Sequence, residues 1–187
     1  MSGLLRRAFG LWVAAQVPGL YVHADDLANA QHQYPACTVT EVAHFLTPIG
    51  CGRRDFVTHD DETGYVASSG KMVRAQTSYR LLVKAPSGPQ GNGQEVVDSI
   101  LEQFGNVVVG VGMSWVPLII EDSEADPPEE FKVDRITVEG RQSVPPDVTG
   151  EPFLFRGALT VKLVRTVPLE KPVEGVMEKI HVQVLGG

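Results

Sequence analysis

Cys37, His44, Cys51 and His59, with His32 nearby, are the side chains of this sequence that could gather around a metal ion. Structural zinc ligands usually come in close pairs, two to four residues apart. Here six or seven residues separate each ligand from the next, so buried or surface roles are the better reading. Cys51 lies between Gly50 and Gly52, ahead of Arg53-Arg54. Cationic neighbours lower a thiol pKa, but no local motif supplies a histidine base, and a small buried residue in a tight turn fits better. Asp60-Asp61-Glu62 lacks the alternating oxygen ligands of a calcium loop and reads as a solvated hairpin tip. Residues 88–94, Gly-Pro-Gln-Gly-Asn-Gly-Gln, precede a helical pattern, where phosphate-binding loops sit. They lack the Lys and Ser/Thr of a P-loop and the spacing of a dinucleotide fingerprint, which leaves a mobile connector. Ser114 and the other serines occupy no nucleophile elbow. The residues thus supply no catalytic, cofactor-binding or metal constellation.

The clearest pattern belongs to structure. Over residues 73–86, Val73, Ala75, Thr77, Tyr79, Leu81 and Val83 alternate with Arg74, Gln76, Ser78, Arg80 and Lys84. Strict period-two alternation calls for a strand with one buried face. After a turn-rich run, Val96, Val97, Ile100, Leu101 and Phe104 recur at helical spacing. Asn92 is placed to cap this helix, Glu95 to reach back to the cap, and Gly105 to stop it. Residues 2–16 read as a first amphipathic helix, with Leu4, Leu5, Ala8, Leu11, Trp12 and Ala15 in one stripe and Pro18-Gly19 as the stop. Strand character is read at 37–46, at 107–113 with a bulge, weakly at 131–138, at 153–167 until Pro168 and Pro172 break it, and at 179–185. Residues 59–64 form a turn between two short strands. Residues 122–130 form an exposed acidic loop, and 140–152 a proline- and glycine-rich connector. Residues 25–33 are a short helix or a loop. The order implies an α+β fold: a mixed, mainly antiparallel sheet with two amphipathic helices packed on one face.

The chain of 187 residues is expected to form a single α+β domain, with loop insertions near 122–130 and 140–152. Hydrophobic residues make up 43% and charged residues 21%, a balance that argues against disorder. A formal net charge of −7 argues against binding nucleic acid by phosphate neutralisation. Arg6-Arg7 and Arg53-Arg54 are pairs rather than a patch, and read as solvated surface residues or partner contacts. Two cysteines could pair, but nothing else points to a disulfide-stabilised secreted chain. The arginines and Gly10 interrupt the apolar N-terminus, so it does not read as a signal peptide, and no run is long enough to span a bilayer. A soluble protein is expected.

Three segments carry a resemblance: the helical stripe at 4–15, the strand-turn-helix unit of 77–84 and 94–104, and the late strand at 155–163. In pattern and order they resemble the tail terminator (tail-completion, neck) proteins of tailed bacteriophages, over well under half of the chain. The likeness implies a structural virion protein that is not an enzyme and has no cofactor. Such proteins cap the tail tube as a ring, usually a hexamer, and form the head-tail joining surface. The implied partners are other copies of the chain, the tail tube protein and head-closure or neck proteins. DNA would be only passing cargo in an acidic channel, and no membrane is involved. The implied place is the virion tail or neck, with host cytoplasm during assembly. Interface candidates are Arg53 and Arg54 with His59, Asp60, Asp61 and Glu62, then the acidic loop with Asp122, Glu124, Asp126, Glu129 and Glu130, and the connector 140–152. The alternatives are another neck or baseplate structural protein, a small-ligand or peptide-binding module, and a small enzyme with a site assembled around Cys51, His59 and Asp60.

Overall fold

Two amphipathic stripes and a set of alternating strands can hide their apolar sides only by stacking helices on one face of a sheet. The computed structural model has that arrangement, and it describes residues 2–23, 33–50, 56–59, 66–88, 92–149 and 152–172. Helix α1 (Ser2–Gln16) leads into strand β1 (Tyr21–His23) and β2 (Ala36–Pro48), then β3 (Phe56–His59) and β4 (Val66–Pro86). Helix α2 (Gly93–Gly112) follows, and then β5 (Leu118–Asp122), β6 (Glu129–Val133), β7 (Arg135–Asp147) and β8 (Leu154–Pro172). The main sheet runs β1-β2-β4-β8-β7, with β3 also paired to β4, and β5 and β6 form a separate two-stranded sheet. β1 lies parallel to β2, while β3–β4, β5–β6 and β7–β8 are antiparallel. This is the expected α+β class, a mixed and mostly antiparallel sheet with two helices. By contacts the chain divides into two compact units, one of residues 1–46 and 75–166, the other of 47–74 and 167–187.

The alternation of β4 translates directly into burial. Val73, Ala75, Thr77, Tyr79, Leu81, Val83 and Ala85 are all buried, whereas Arg74 is exposed. Phe9 of α1 stacks on Tyr79 with centroids 5.0 Å apart, and Trp12 meets Phe104 of α2 edge-on at 5.6 Å. These rings join β4, α1 and α2 through one core. On β8, Gly157 leaves the room that α2 needs, because a Cβ there would stand 2.8 Å from both Val97 and Leu101. Val97, Ile100, Leu101 and Phe104 are buried as expected.

Several expectations change. α2 does not stop at Gly105 but runs to Gly112, so 107–112 is helix rather than strand and Met113 is its C-cap. Val108 extends the stripe of Phe104 by one turn and is fully buried, and this packing outweighs the β preference of the Val-Val-Val run. The buried side of α1 is Leu5, Ala8, Phe9 and Val13, while Ala15 is exposed. Leu4 and Trp12 of the expected stripe also pack against this core, and Phe9, outside that stripe, stacks on Tyr79. Residues 140–147 are not a connector, since β7 continues through them to Asp147. β7 hides its period by a bulge between Val138 and Gly140. Ile136 and Val138 lie opposite Leu163 and Val161, but beyond the bulge Arg141 takes the place opposite Leu159. The bulge therefore shifts which residues stand opposite the buried side of β8, and beyond it no residue of β7 is buried. β8 likewise continues past Pro168 to Pro172. β1 and β5 have no counterpart among the expected elements. The expected strand at 179–185 and nearly all of the segment 25–33 lie outside the described residues.

Candidate interaction surfaces

Where α2 ends, the chain turns sharply. The Met113 amide donates to Val109 O and the Ser114 amide to Val111 O, closing the last turn. Ser114 Oγ then accepts from the Val116 amide at 3.1 Å, and Pro117 follows. This short, internally bonded loop holds its apolar side chains out to solvent. Trp115 is as exposed as in an open peptide (101%), Met113 is 77% exposed and Val116 73%. Arg135, itself exposed, borders the same small cleft as Ser114 and Val116.

Along the first half of α2 lies a groove of about 320 Å³. Val17 and Leu20 from the end of α1, Pro35 ahead of β2, and Val96 and Ile100 from α2 give it an apolar lining. Glu95, Ser99 and Gln103 add polar groups. Gly19, at φ 83°, makes the left-handed turn that brings Leu20 round after α1. The Gln103 amide reaches Gln16 O at 3.5 Å, tying the two helices together beside the groove.

The third surface is the β5–β6 hairpin. Asp122 was expected in an exposed loop, yet it ends β5 and is fully buried. Arg7 of α1 clamps its Oδ2 through Nε at 2.8 Å and a terminal nitrogen at 2.7 Å. This carboxylate holds the Arg7 guanidinium above its ordinary pKa, chiefly through the hydrogen bond. Asp122 Oδ1 also accepts from the Glu124 amide at 3.3 Å, which starts the turn. Asp122 is therefore an anchor and not a contact residue. Glu124 and Asp126 in the turn, with Glu129 and Glu130 at the start of β6, remain exposed and form an acidic tip.

Of the other candidates, Arg53, Arg54, Asp60, Asp61 and Glu62 lie outside the described residues, as do Cys51 and His32. His59 belongs to β3, where its partner across the hairpin is Val66. Cys37 is a free, buried thiol that burial pushes up to about 12, far from the reactive range. His44 shares a 2.9 Å hydrogen bond with Thr77 Oγ1. Among the described residues no three His, Cys, Asp or Glu side chains are grouped to hold a metal ion. At the former glycine-rich candidate, Asn92 accepts from the Gln94 amide and Ser87 Oγ from the Gly93 amide, so both side chains cap α2.

The Trp115 loop and the groove were not found from sequence. One signal for the loop existed: Met113, Trp115 and Val116 crowd between Gly112 and Pro117, an apolar group beside two chain breakers. The groove is assembled from three distant segments and leaves no local trace. The chain matches no known protein-family model, and no curated protein is significantly similar to it. No helix among the described residues is long and apolar enough to cross a membrane.

Proposed function

We propose that this chain is a structural subunit that works by contact with copies of itself and with neighbouring proteins, in the manner of a phage tail terminator. On this reading it caps the tail tube as a ring and offers a joining surface to the head-closure or neck proteins. It carries out no catalysis, and it belongs in the virion tail or neck.

The bare Trp115 on its bonded loop is the observation that supports this reading. Indole is among the side chains most enriched at binding hot spots, and a large apolar side chain held fully in water gains most when a partner covers it. The acidic hairpin tip adds a second, charged surface suited to orienting a neighbour or keeping DNA from sticking in a channel. The resemblance of 4–15, 77–84 with 94–104, and 155–163 to tail terminators adds the ring and the tail tube.

The test is direct. The purified protein, alone and mixed with tail tubes, is examined by native mass spectrometry and negative-stain electron microscopy. A closed ring, alone or at the tube end, is the expected result. A monomer that ignores tail tubes at high micromolar concentration overturns the reading.

A further inference from the structure

We propose that Trp115 of one copy seats in the groove beside Val96 and Ile100 of a second copy, so that the chain assembles head to tail. This rests on the reading of the protein as a ring-forming subunit, and it names the residues through which the ring closes. One surface is an apolar knob, and the other is a groove of about 320 Å³ with an apolar floor of Val17, Leu20 and Ile100 beneath a polar rim of Glu95, Ser99 and Gln103, roomy enough for an indole ring. They match in charge. Exposed Arg135 lines a cleft with Ser114 and Val116, the sequence neighbours of Trp115, and exposed Glu95 borders the groove, a pairing suited to fixing orientation.

Their placement fits a head-to-tail contact. The groove flanks the first turns of α2 and the knob follows its last turn, so about 25 Å of helix, at ~1.5 Å per residue, separates them. A knob and a socket at opposite ends of one helix can pair reciprocally in an antiparallel two-fold dimer or repeat head to tail, and the ring takes the second course. Repeated in that way, the heterologous contact continues until the rotation closes a ring.

The experiment uses two full-length variants at exposed positions, Trp115→Glu, which spoils the knob, and Ser99→Arg, which fills the groove. Circular dichroism melting should show both folded like the parent. Sedimentation velocity should then show rings for the parent and monomers for each variant alone. An equimolar mixture should give a dimer of one copy each, because Ser99→Arg retains a knob and Trp115→Glu retains a groove. The inference is overturned if the parent stops at a reciprocal dimer, if either variant still assembles alone, as Ser99→Arg would if Trp115 packed against Trp115, or if both are monomeric and their mixture stays monomeric. Rings in the parent and both variants would sink this contact and leave the ring reading standing. A parent that is monomeric at every concentration sinks both.

Discussion

Two ion pairs of similar length carry different weight in this molecule. Arg141 and Asp98 are about half exposed on either side of their contact, so water and salt screen them. Arg7 reaches a carboxylate with no exposure at all. Removing the cation strands a buried anion, the situation in which losing one partner costs most. Arg7→Ala is therefore expected to lower the Tm by several degrees, and Arg141→Ala to leave it nearly unchanged, in parallel thermal melts. Glu139 offers a pH-dependent case. Hydrogen bonds from Lys162 and Ser78 hold its carboxyl below the usual glutamate range. A depressed carboxylate contributes stability above its unfolded pKa and loses it as pH falls through the folded one. With about a third of each charged side chain exposed, the screened gain is under about 1 kcal/mol. In urea denaturation Glu139→Gln should be weaker than the parent at pH 7, and the gap should close in acid. None of this was legible in the sequence, because both networks join residues from distant elements. Asp122 stood in an acidic run that looked wholly solvated, and Glu139 is the extra residue of a bulge.

At the scale of elements, α2 separates what local pattern can say from what packing decides. Its stripe, its Asn92 cap and its bed on β4 and β8 could be read from spacing, since one buried face imposes a period. Its end could not. Gly105 looked like a stop and Val107-Val108-Val109 like a strand, and only the sheet beneath Val108 turns these residues into helix. This has a measurable consequence. A glycine that ends a helix in the left-handed region resists alanine, whereas one inside a helix costs about 0.5–1 kcal/mol relative to alanine. Positive φ among the described glycines is confined to Gly19 and Gly50, and a Cβ at Gly105 would meet nothing within 4 Å. Gly105→Ala should therefore raise stability by about 0.5–1 kcal/mol in urea denaturation. Gly93→Ala should do the opposite, because its Cβ would stand 2.7 Å from Ala85 O and 2.8 Å from Pro86 C, backbone atoms that cannot swing aside. A fall in stability for Gly105→Ala would return the helix end to Gly105.

For the molecule as a whole, the acidic hairpin must be divided before it can be tested as a docking surface. Deleting all of 122–130 would remove the Arg7 anchor, the last pair of the β5–β6 ladder and the residue beside it, Asp122↔Glu129 and Glu121↔Glu130. It would also bare Ile120 and Phe131, which face each other in that ladder and belong to the core. A loss of assembly after such a deletion would report only a damaged fold. Replacing residues 123–128 by a two-residue Asn-Gly turn keeps Asp122 and β6 in register while removing Glu124 and Asp126. Glu129→Gln and Glu130→Gln complete the neutral tip without touching a buried group. Since exposed charges steer encounters more than they hold complexes, the ring itself should survive, because its affinity is assigned to the Trp115 knob. What should fall is the rate of joining to an external neighbour. That loss should be largest at low salt and shrink as the Debye length drops from about 30 Å at 0.01 M to about 10 Å at 0.1 M. Measured as the rate at which purified rings bind tail tubes or neck proteins, an unchanged rate at low salt would remove the tip from the joining surface.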